Sequence, residues 1–396
     1  MTIAFTFEIF LPVIHGVFTA THDLATNLIA RGNRVIYIAP RWPESKINEV
    51  DGIPVYYITS YETFVYPGMR NVIPWSRHVE RVLVKENVDI VHITGPWLLN
   101  WATLRAGRRR GCATVQTFHT MLQEPTYIRY FTHTDLLVAP LRMAAWKYFG
   151  IYIRRSDIVT GPSRYVVDEL SKHYPDQRIE YVPNGIDLDD FADPPSIDSV
   201  IARYHEFRER SIVFVGRLGE EKAVDKLIDA ARIAVDIDPG FRLLIVGDGP
   251  GRRRYQNQVR RLGLAGHVFF LGRIPHRDLI TSGLLHHARA NVTASTTESF
   301  GMTVVEAMAA GTPSIVANVP GISELTVGTG LTFKKGNLRD LAEKMVLLFR
   351  DDELFTTLRA GCREHARRFD GRQIAEQFEA LYESIYPPRR RRSRGR

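Results

Sequence analysis

The sequence contains little cysteine and no long apolar run. Two cysteines, Cys112 and Cys362, occur in 396 residues, far apart and without C-x-x-C or Cys/His spacing around either. This scarcity excludes a disulfide framework and a zinc site, and it favours a reducing compartment. No apolar stretch approaches the roughly 18 to 20 residues that a membrane-spanning helix needs. The apolar N-terminus is interrupted by Glu8 and Pro12 and has no basic start, so it predicts a buried strand and turn rather than a signal peptide.

The composition is that of an ordinary globular protein. Hydrophobic residues make up 44% and charged residues 24% of the chain, which excludes disordered, collagen-like and disulfide-stapled classes. The length favours two domains, each large enough to bury its own core. Short β-rich runs alternate with helical patterns along nearly the whole chain. This alternation predicts mostly parallel sheets joined by helical crossovers.

The alternating pattern runs through the chain twice, and the segment between the two series, 183–201, has the Asn-Gly, aspartate and proline content of a linker. We therefore predict an α/β fold of two doubly wound, Rossmann-like domains that face each other across a central cleft. The predicted parts are an N-terminal domain 1–193, a C-terminal domain 194–370, a helix 371–386 that packs back on the first domain, and a disordered basic tail 387–396.

Positive charge is concentrated in two parts of the sequence. The formal net charge is +8, and six arginines lie in the tail segment 389–396. The stretch 99–155 holds nine Lys and Arg residues against two acidic ones, interspersed with tryptophan, tyrosine and phenylalanine. This mixture suits an anionic membrane surface, where each cation is worth about 1 kcal/mol, and the tail is a second segment with affinity for anions. The alternatives are a solvated basic face and a nucleic-acid surface; we expect no specific nucleic-acid partner.

The richest motif is the segment 294–312, which follows a predicted strand and then enters a helix. The first backbone N–H groups of a helix have no intrahelical partner, and the helix dipole there favours an anion such as phosphate. The candidate ligand contacts at this helix start are Phe300, Gly301, Met302 and Thr303.

Two carboxylates flank the same helix start. Glu298 precedes it and Glu306 lies inside the helix. Carboxylates repel phosphate but accept hydrogen bonds from vicinal hydroxyls, as on a sugar or a ribose. Phosphate on the amides and hydroxyls on the carboxylates together describe a nucleotide-sugar. The alternative is a pair of glutamates on a solvated helix face.

A further motif follows the first strand of the C-terminal domain, where Arg217 and Lys222 lie in the loop that enters a helix. A forked guanidinium and an ammonium together suit a diphosphate leaving group. The alternative is surface ion pairing with Glu220 and Glu221. The next strand ends in IVGDGPG (245–251), which does not meet the G-x-G-x-x-G spacing of a dinucleotide site, so we interpret it as a strand-to-helix turn.

Two candidate residues lie in the N-terminal domain. Gly16 ends the loop after the first strand and would let the backbone approach a phosphate or sugar closely. His119 follows another strand at the predicted cleft edge, where it would contact the reacting sugar or the acceptor. The alternative for His119 is a structural role, which is usual for a lone histidine.

Together these motifs resemble those of the retaining glycosyltransferases of family four, which have the GT-B architecture. The resemblance covers nearly the whole chain. Its segments are VPNGID (182–187), GRLGEEK (216–222), LLIVGDGP (243–250), FLGRIP (270–275), ESFGMTVVEAMAAGTPSIVA (298–317) and GISEL (321–325). Two departures from the family pattern are Ala223, where glycine is usual, and His15 before Gly16, where two glycines are often found.

The resemblance implies a role for each candidate. Glu306 would bind the ribose, Glu298 would lie near the sugar hydroxyls, and the segment around Arg273 and Ile274 would receive the base. The catalytic residues would be His119, Arg217, Lys222 and Glu298. Transfer would retain the anomeric configuration, and we predict front-face substitution in which the leaving β-phosphate oxygen takes the acceptor proton.

We expect no metal and no cofactor, since the nucleotide-sugar, UDP-linked by resemblance, is a substrate. An Asp-x-Asp sequence does occur at Asp187-Leu188-Asp189, but it lies in the linker and is interpreted as turn chemistry.

Within the family, the runs 117–131 and 159–170 look most like enzymes that glycosylate diacylglycerol or related membrane lipids. This likeness implies transfer of glucose to a lipid by a cytoplasmic enzyme that lies on the inner face of the membrane. The closest alternative is a family member with a soluble acceptor. A sugar-nucleotide epimerase on the same architecture and a binding protein without turnover are further alternatives.

Overall fold

The computed structural model describes residues 1–11, 16–43, 45, 47–62, 70–73, 77–119, 121, 128 and 136–386. Contacts within the chain divide it into two compact units. Unit 1 is Met1–Gly185 together with the chain from Gly371 onward, and unit 2 is Ile186–Asp370. The division follows Gly185 rather than residue 193, because Ile186 and Phe191 are buried in the hydrophobic core of unit 2.

Unit 1 is built on a mostly parallel sheet. Its strands are β1 (Thr2–Thr6), β2 (Arg34–Pro40), β3 (Glu49–Val50), β4 (Ile53–Ile58), β5 (Ser60–Glu62), β6 (Arg70–Val72), β7 (Ile90–Ile93), β8 (Ala113–Thr117), β9 (Ile158–Gly161) and β10 (Ile179–Tyr181). Its helices are α1 (Gly16–Ala30), α2 (Arg77–Lys85), α3 (Leu98–Arg110), α4 (Val138–Ile153), α5 (Arg164–His173) and, after unit 2, α14 (Gly371–Ile385). The order of the main sheet is β10-β9-β8-β7-β1-β2-β4-β3, in which β3 is antiparallel to β4, and β5 and β6 form a separate antiparallel pair.

The order of this sheet reverses beside β1. Strands β2 and β4 extend the sheet on one side of β1, and β7 to β10 extend it on the other. The segments that follow β1 and β7 therefore leave toward opposite faces, and such a reversal is where open α/β sheets bind ligands.

The C-terminal helix α14 completes the core of unit 1, with Phe378 and Tyr382 buried against the sheet. The Tyr382 hydroxyl lies 2.7 Å from Nδ1 of the buried His92 on β7, and His92 Nε2 lies 2.6 Å from the hydroxyl of Thr117 at the end of β8. Burial lowers the pKa of His92 to about 3, and the neighbouring His119 acts in the same direction. The His92 ring is therefore neutral, and these hydrogen bonds satisfy polar groups that the core has taken from water.

Unit 2 repeats the same construction with six strands. They are β11 (Ile212–Val215), β12 (Leu243–Val246), β13 (Val268–Gly272), β14 (Ala290–Val292), β15 (Ser314–Ala317) and β16 (Gly330–Phe333). Its helices are α6 (Ile197–Arg203), α7 (Val224–Ile237), α8 (Arg252–Arg261), α9 (His276–Thr281), α10 (Leu284–His287), α11 (Met302–Ala309), α12 (Leu338–Arg350) and α13 (Asp352–Ala366). The order is β13-β12-β11-β14-β15-β16, parallel throughout, and it reverses between β11 and β14.

The central strands of unit 2 are continuous apolar runs, as expected for parallel strands covered by helices on both faces. All four side chains of β12, LLIV, are buried. Helices α12 and α13 begin at side-chain caps: the Asn337 side chain accepts from the N–H of Asp340, and the Asp351 side chain accepts from the N–H of Leu354. The α/β fold of two doubly wound parallel sheets predicted from the sequence is confirmed.

The first and last residues of unit 2 lie side by side. The backbone N–H of Ile186 donates to the carbonyl of Phe369 at 2.8 Å. Within unit 1, the residues next to them also meet, because a Cβ added to Gly185 would lie 2.8 Å from the Cα of Gly371. Glycine at position 185 is therefore required for this close approach of two backbones.

Glu8, just after β1, is a buried carboxyl at the reversal of the first sheet. It is 6% exposed, and its Oε1 accepts a hydrogen bond of 2.8 Å from the backbone N–H of Asn100 in the first turn of α3. Its Oε2 has no hydrogen-bond partner within the described ranges. Burial raises the pKa of Glu8 to about 8, although bonds from the amides of Asn100 and Leu99 act in the opposite direction.

This shift predicts a pH-dependent stability. The folded state holds the Glu8 proton up to about pH 8, whereas the unfolded chain releases it near the ordinary value of 4.5. The free energy of unfolding should therefore fall as the pH rises from about 4.5 to about 8, and this part of the pH dependence should vanish in Glu8→Gln. Urea unfolding of both proteins at several pH values measures the difference. The exposed Glu353→Gln is the control, and parallel curves for wild type and Glu8→Gln would contradict the assignment.

Candidate functional site

The carboxyl ends of parallel strands meet at one edge of a sheet, and in unit 2 this edge collects the residues singled out in the sequence. Arg217 and Lys222 follow β11, Arg273 and Ile274 follow β13, and Glu298 to Thr303 follow β14. The segments after β11 and β14 flank the point where the strand order reverses. This is the position at which a doubly wound sheet binds its ligand.

An ion pair joins the two segments that flank the reversal of strand order in unit 2. Lys222 Nζ lies 2.5 Å from Glu298 Oε1, and both side chains are largely buried, at 28% and 20% exposure. Burial alone would raise the pKa of Glu298, but the charge of Lys222 and the hydrogen bonds from Lys222 and Ser295 outweigh it, so the pKa is lowered. Glu298 is therefore an ionised acceptor at neutral pH. The described geometry therefore favours pairing of Lys222 with Glu298 over surface pairing with Glu220 and Glu221.

Helix α11 begins at the same place. Gly301 precedes it with a φ of +104°, a conformation that favours glycine, and Met302 and Thr303 form its first turn. The ring of Phe300 faces away from this edge of the sheet. The ring is 3% exposed and packs edge-on against Phe369 in the core, 5.7 Å between ring centroids, so only the backbone of Phe300 lies at the edge.

Glu306 is buried in α11, one turn inside its start, and is not on a solvated helix face. It is 3% exposed, and its Oε1 lies 2.9 Å from Nε2 of His276, the first residue of α9. His276 follows the Arg273–Pro275 loop directly. The sequence does not single out His276, because no spacing rule relates it to a glutamate in another crossover.

Two glycine-containing loops pack tightly beside the exposed Arg217. The backbone N–H of Gly216 donates to the carbonyl of Val246 at 3.0 Å. A Cβ added to Gly247 would lie 1.9 Å from the carbonyl oxygen of Gly216, and one added to Gly249 would lie 2.8 Å from the backbone of Leu218. The glycines of the 245–251 turn therefore hold the Arg217 loop against the next loop, a role different from phosphate binding.

Ala223 has a left-handed backbone conformation, with φ 49° and ψ 40°, between Lys222 and the start of α7. An L-residue other than glycine is strained there, typically by 1 kcal/mol or more. Glycine, which the family pattern has at this position, adopts this conformation without a Cβ clash.

The two remaining candidates belong to unit 1. His119 lies two residues after β8 and lines a small cavity with His92, Thr117 and the segment 183–185. Gly16 is the first residue of α1 and is exposed. The loop before it, 12–15, lies outside the described residues, as does the part of the 117–131 run at 120, 122–127 and 129–131.

Among the described residues of the basic stretch, three aromatic side chains of α4 lie in the core rather than at the surface. Trp146, Phe149 and Tyr152 are buried, and Trp146 stacks on His173 with 3.8 Å between ring centroids. Several of the arginines are occupied by neighbours: Arg110 pairs with Glu80, Arg142 lies near Glu169, and Arg155 lies over the ring of Trp101. The interpretation of these side chains as membrane contacts is therefore wrong for those that the structure buries. The tail 389–396 lies outside the described residues.

Exposed apolar side chains are found instead at the start of α4. Leu136 is 88%, Leu137 48%, Leu141 41% and Met143 59% exposed. The basic residues Arg142 and Lys147 lie among them and after them in the sequence, and no acidic residue occurs between 136 and 155. We call Leu136–Lys147 the α4 surface. No helix in the described part of the chain is long and apolar enough to cross a membrane.

The Asp187-Leu188-Asp189 sequence forms a turn in the structure. The side chain of Asp187 accepts a hydrogen bond from the backbone N–H of Asp189 at 3.0 Å. Within the described ranges, no three His, Cys, Asp or Glu side chains converge as a metal-binding group.

Comparisons with known proteins match both halves of the chain. Residues 14–190 match the model of Glycosyltransferase Family 4, and residues 203–369 match that of Glycosyl transferases group 1. The alpha-monoglucosyldiacylglycerol synthase of Acholeplasma laidlawii is 25% identical over 96% of both chains. The N-acetyl-alpha-D-glucosaminyl L-malate synthase of Bacillus anthracis is 26% identical over 94% of this chain and 95% of its own. Among solved structures, Anabaena HepE in complex with UDP superposes with a TM-score of 0.77 at 22% identity, covering 97% of this chain and 100% of its own.

The chain has two doubly wound units, and polar residues lie at the strand reversal of the second. This is the fold of the GT-B class of glycosyltransferases. Because the two family models together match nearly all of 14–369, the chain belongs to the family-four glycosyltransferases. It is accordingly a transferase that depends on a nucleotide-sugar.

The strain at Ala223 yields a test of the site loop. Ala223→Gly should raise the free energy of unfolding by about 1 kcal/mol, because glycine adopts this conformation without a Cβ clash. Urea unfolding measures the change. The matched control is Ala360→Gly, an exposed position inside α13, where the same substitution should cost about 1 kcal/mol. Two losses of equal size would contradict the strain at Ala223.

Proposed function

We propose that the protein transfers a hexose, most simply glucose, from a nucleotide-diphosphate sugar to a membrane lipid such as diacylglycerol, with retention of the anomeric configuration. The observation that carries the donor half is the Lys222–Glu298 ion pair beside the start of α11, since it places a cation and an ionised acceptor at one point. The lipid half is supported by the Acholeplasma relative, whose name specifies a glucosyldiacylglycerol, and by the α4 surface.

The chemistry of each residue suggests how the donor binds. Lys222 has three N–H donors, so it can hold Glu298 with one and a phosphate oxygen with another. The ionised Glu298 accepts hydrogen bonds from sugar hydroxyls, and the amides of Met302 and Thr303 bind the diphosphate at the positive end of α11. Arg217, exposed on the neighbouring loop, supplies a second cation.

The nucleoside lies along the same edge in this proposal. Glu306 accepts hydrogen bonds from the ribose hydroxyls, and the base contacts the loop of Arg273 and Ile274. The buried position of Glu306 supports this role, because a carboxylate shielded from water discriminates strongly for a ligand that offers it hydroxyl donors. Gly16 in unit 1 lets the backbone approach the donor.

The reaction proceeds in this proposal by front-face substitution. The bond between the anomeric carbon and the β-phosphate oxygen breaks, and the acceptor oxygen attacks the same face while its proton passes to the departing phosphate oxygen. Arg217, Lys222 and the α11 amides stabilise the charge that develops on the diphosphate. His119 orients the sugar and the acceptor hydroxyl, and exclusion of water prevents hydrolysis of the donor.

The α4 surface is the proposed membrane contact. Leu141 and Met143 are apolar side chains on α4, and Arg142 between them in the sequence carries a positive charge. Each fully buried side chain of this size is worth about 1.5–3 kcal/mol, more than the roughly 1 kcal/mol of a surface cation. A bilayer with anionic lipid headgroups satisfies both kinds of group, and an acceptor dissolved in that bilayer is then within reach. The enzyme would thus lie on the cytoplasmic face of the membrane.

A transfer assay tests the reaction. Radiolabelled UDP-glucose is supplied with vesicles of phosphatidylglycerol and diacylglycerol, and label in the lipid phase is followed. Lys222→Ala and Arg217→Ala should each lower kcat roughly 100- to 1,000-fold, because each removes a group that stabilises the leaving diphosphate. The control is Lys226→Ala, an exposed lysine on α7, which should leave the rate unchanged.

Other outcomes of the same assay contradict specific parts of the proposal. Product that forms only with a water-soluble acceptor would overturn the lipid assignment and leave the donor site intact. A new sugar nucleotide from donor alone would indicate an epimerase. Unchanged transfer by Lys222→Ala would overturn the donor site itself.

Flotation with vesicles tests the membrane contact. Leu141→Asp and Met143→Asp should each weaken partitioning to phosphatidylglycerol vesicles about tenfold or more, because a charge replaces an apolar side chain that enters the bilayer. The matched control is Val327→Asp, an equally conspicuous exposed apolar residue, at 71% exposure, in unit 2. Equal binding by all three variants and the wild type would remove the α4 surface from the proposal.

A further inference from the structure

His276 holds the carboxylate to which the proposed function assigns the ribose. The two side chains come from different crossovers: α9 follows β13, whereas α11 follows β14. Nε2 of His276 lies 2.9 Å from Oε1 of Glu306, a distance typical of a charge-assisted hydrogen bond. His276 is 36% exposed in its side chain, while that of Glu306 is 4% exposed. The bond thus joins a residue at the surface of the site to a carboxylate beneath it.

A carboxylate in this position needs a donor to fix its orientation. The carboxylate of Glu306 offers about four acceptor positions, and His276 occupies one of them. Because rotation of the carboxylate would break this hydrogen bond, the bond fixes the directions in which the remaining positions can accept. A buried carboxylate that lost its donor would pay a desolvation cost and would turn toward another partner.

The helix that carries His276 is itself held in place. The 3₁₀ turn Asp189–Phe191 packs against α9, and Phe191 is anchored by a hydrogen bond of 3.0 Å from His286 Nε2 to its carbonyl oxygen. Asp190 in this turn lies near His276 and Arg277; burial and the charge of Asp187 raise its pKa, and Arg277 and His276 act in the opposite direction. His276 therefore has two carboxyl neighbours, Glu306 at hydrogen-bonding distance and Asp190 farther away.

We propose that His276 is a positioning residue that orients the Glu306 carboxylate to accept hydrogen bonds from the ribose hydroxyls of the donor. The inference rests on the proposed function, which assigns the ribose to Glu306. His276 also comes two residues after Ile274, so it links the loop proposed for the base to the residue proposed for the ribose. Loss of such a residue should raise the Kd of nucleotides that carry the ribose hydroxyls and leave the Kd of nucleotides without them unchanged.

The test compares two nucleotides that differ only in those hydroxyls. Isothermal titration calorimetry measures the Kd of UDP and of 2′,3′-dideoxy-UDP, with GDP and its dideoxy analogue as the second pair, on the full chain. His276→Ala should weaken binding of the ribonucleotide roughly 10- to 100-fold, the range for a hydrogen bond to a charged group, and change dideoxynucleotide binding less than twofold. His276→Gln, which keeps an N–H donor, should recover most of the loss.

Three further variants complete the design. Glu306→Gln should show the same selective loss, and the double variant His276→Ala/Glu306→Gln should lose no more than Glu306→Gln alone, because the two residues act through one carboxylate. Arg277→Ala, the exposed neighbour on α9, should bind both nucleotides as the wild type does. A purely structural effect of His276 would weaken both nucleotides equally, and the ratio of the two Kd values is independent of the fraction of folded protein.

The outcomes separate the two hypotheses. A selective loss in Glu306→Gln with unchanged selectivity in His276→Ala would overturn the role of His276 and keep the ribose assignment. Equal loss of both nucleotides in His276→Ala would also overturn it. No selectivity in Glu306→Gln, or no nucleotide-diphosphate binding by the wild type, would overturn the ribose assignment of the proposed function and the inference with it.

Discussion

The parallel sheet with one reversal of strand order is the constraint on which both units depend. Each reversal places the ends of two adjacent strands at one edge while their following segments leave toward opposite faces. Polar groups at this edge come from segments far apart in the sequence, so each unit bridges its reversal with a carboxyl group. In unit 1 the bridge is Glu8 on the amide of Asn100, and in unit 2 it is Glu298 on Lys222.

The two bridges have opposite electrostatic consequences. Among the described residues, Glu8 accepts hydrogen bonds only from backbone N–H groups, and burial raises its pKa to about 8. Glu298 receives an ammonium group, which lowers its pKa despite burial. The first carboxyl is therefore neutral at pH 7 and serves the packing of α3 against β1, whereas the second is charged and suited to bind hydroxyls. The partner of the carboxyl group thus decides whether the bridge at each reversal is neutral or charged.

The sequence was sufficient for the parts that depend on local patterns. Apolar runs followed by polar and glycine-containing loops identified the strands and placed Arg217, Lys222 and Glu298 at strand ends, because parallel strands bring such ends together. It was insufficient where tertiary packing decides. Trp146 and Tyr152 are buried, although the composition of the 99–155 stretch suggested a surface. Alternation of basic and aromatic residues along a helix does not reveal which of them faces the sheet.

His276 shows a second limit of sequence reasoning. It lies on a crossover that leaves β13, which is separated from β14 by two strands in the sheet, and its contact with Glu306 arises because the return path from β13 to β14 passes α11. Neither residue spacing nor strand adjacency predicts that contact. The same holds for the α4 surface, where the exposed residues are leucine and methionine rather than the tryptophan and tyrosine expected at an interface. Because the transfer free energy of such side chains exceeds that of single surface cations, apolar contact rather than charge would dominate the membrane contact that we propose.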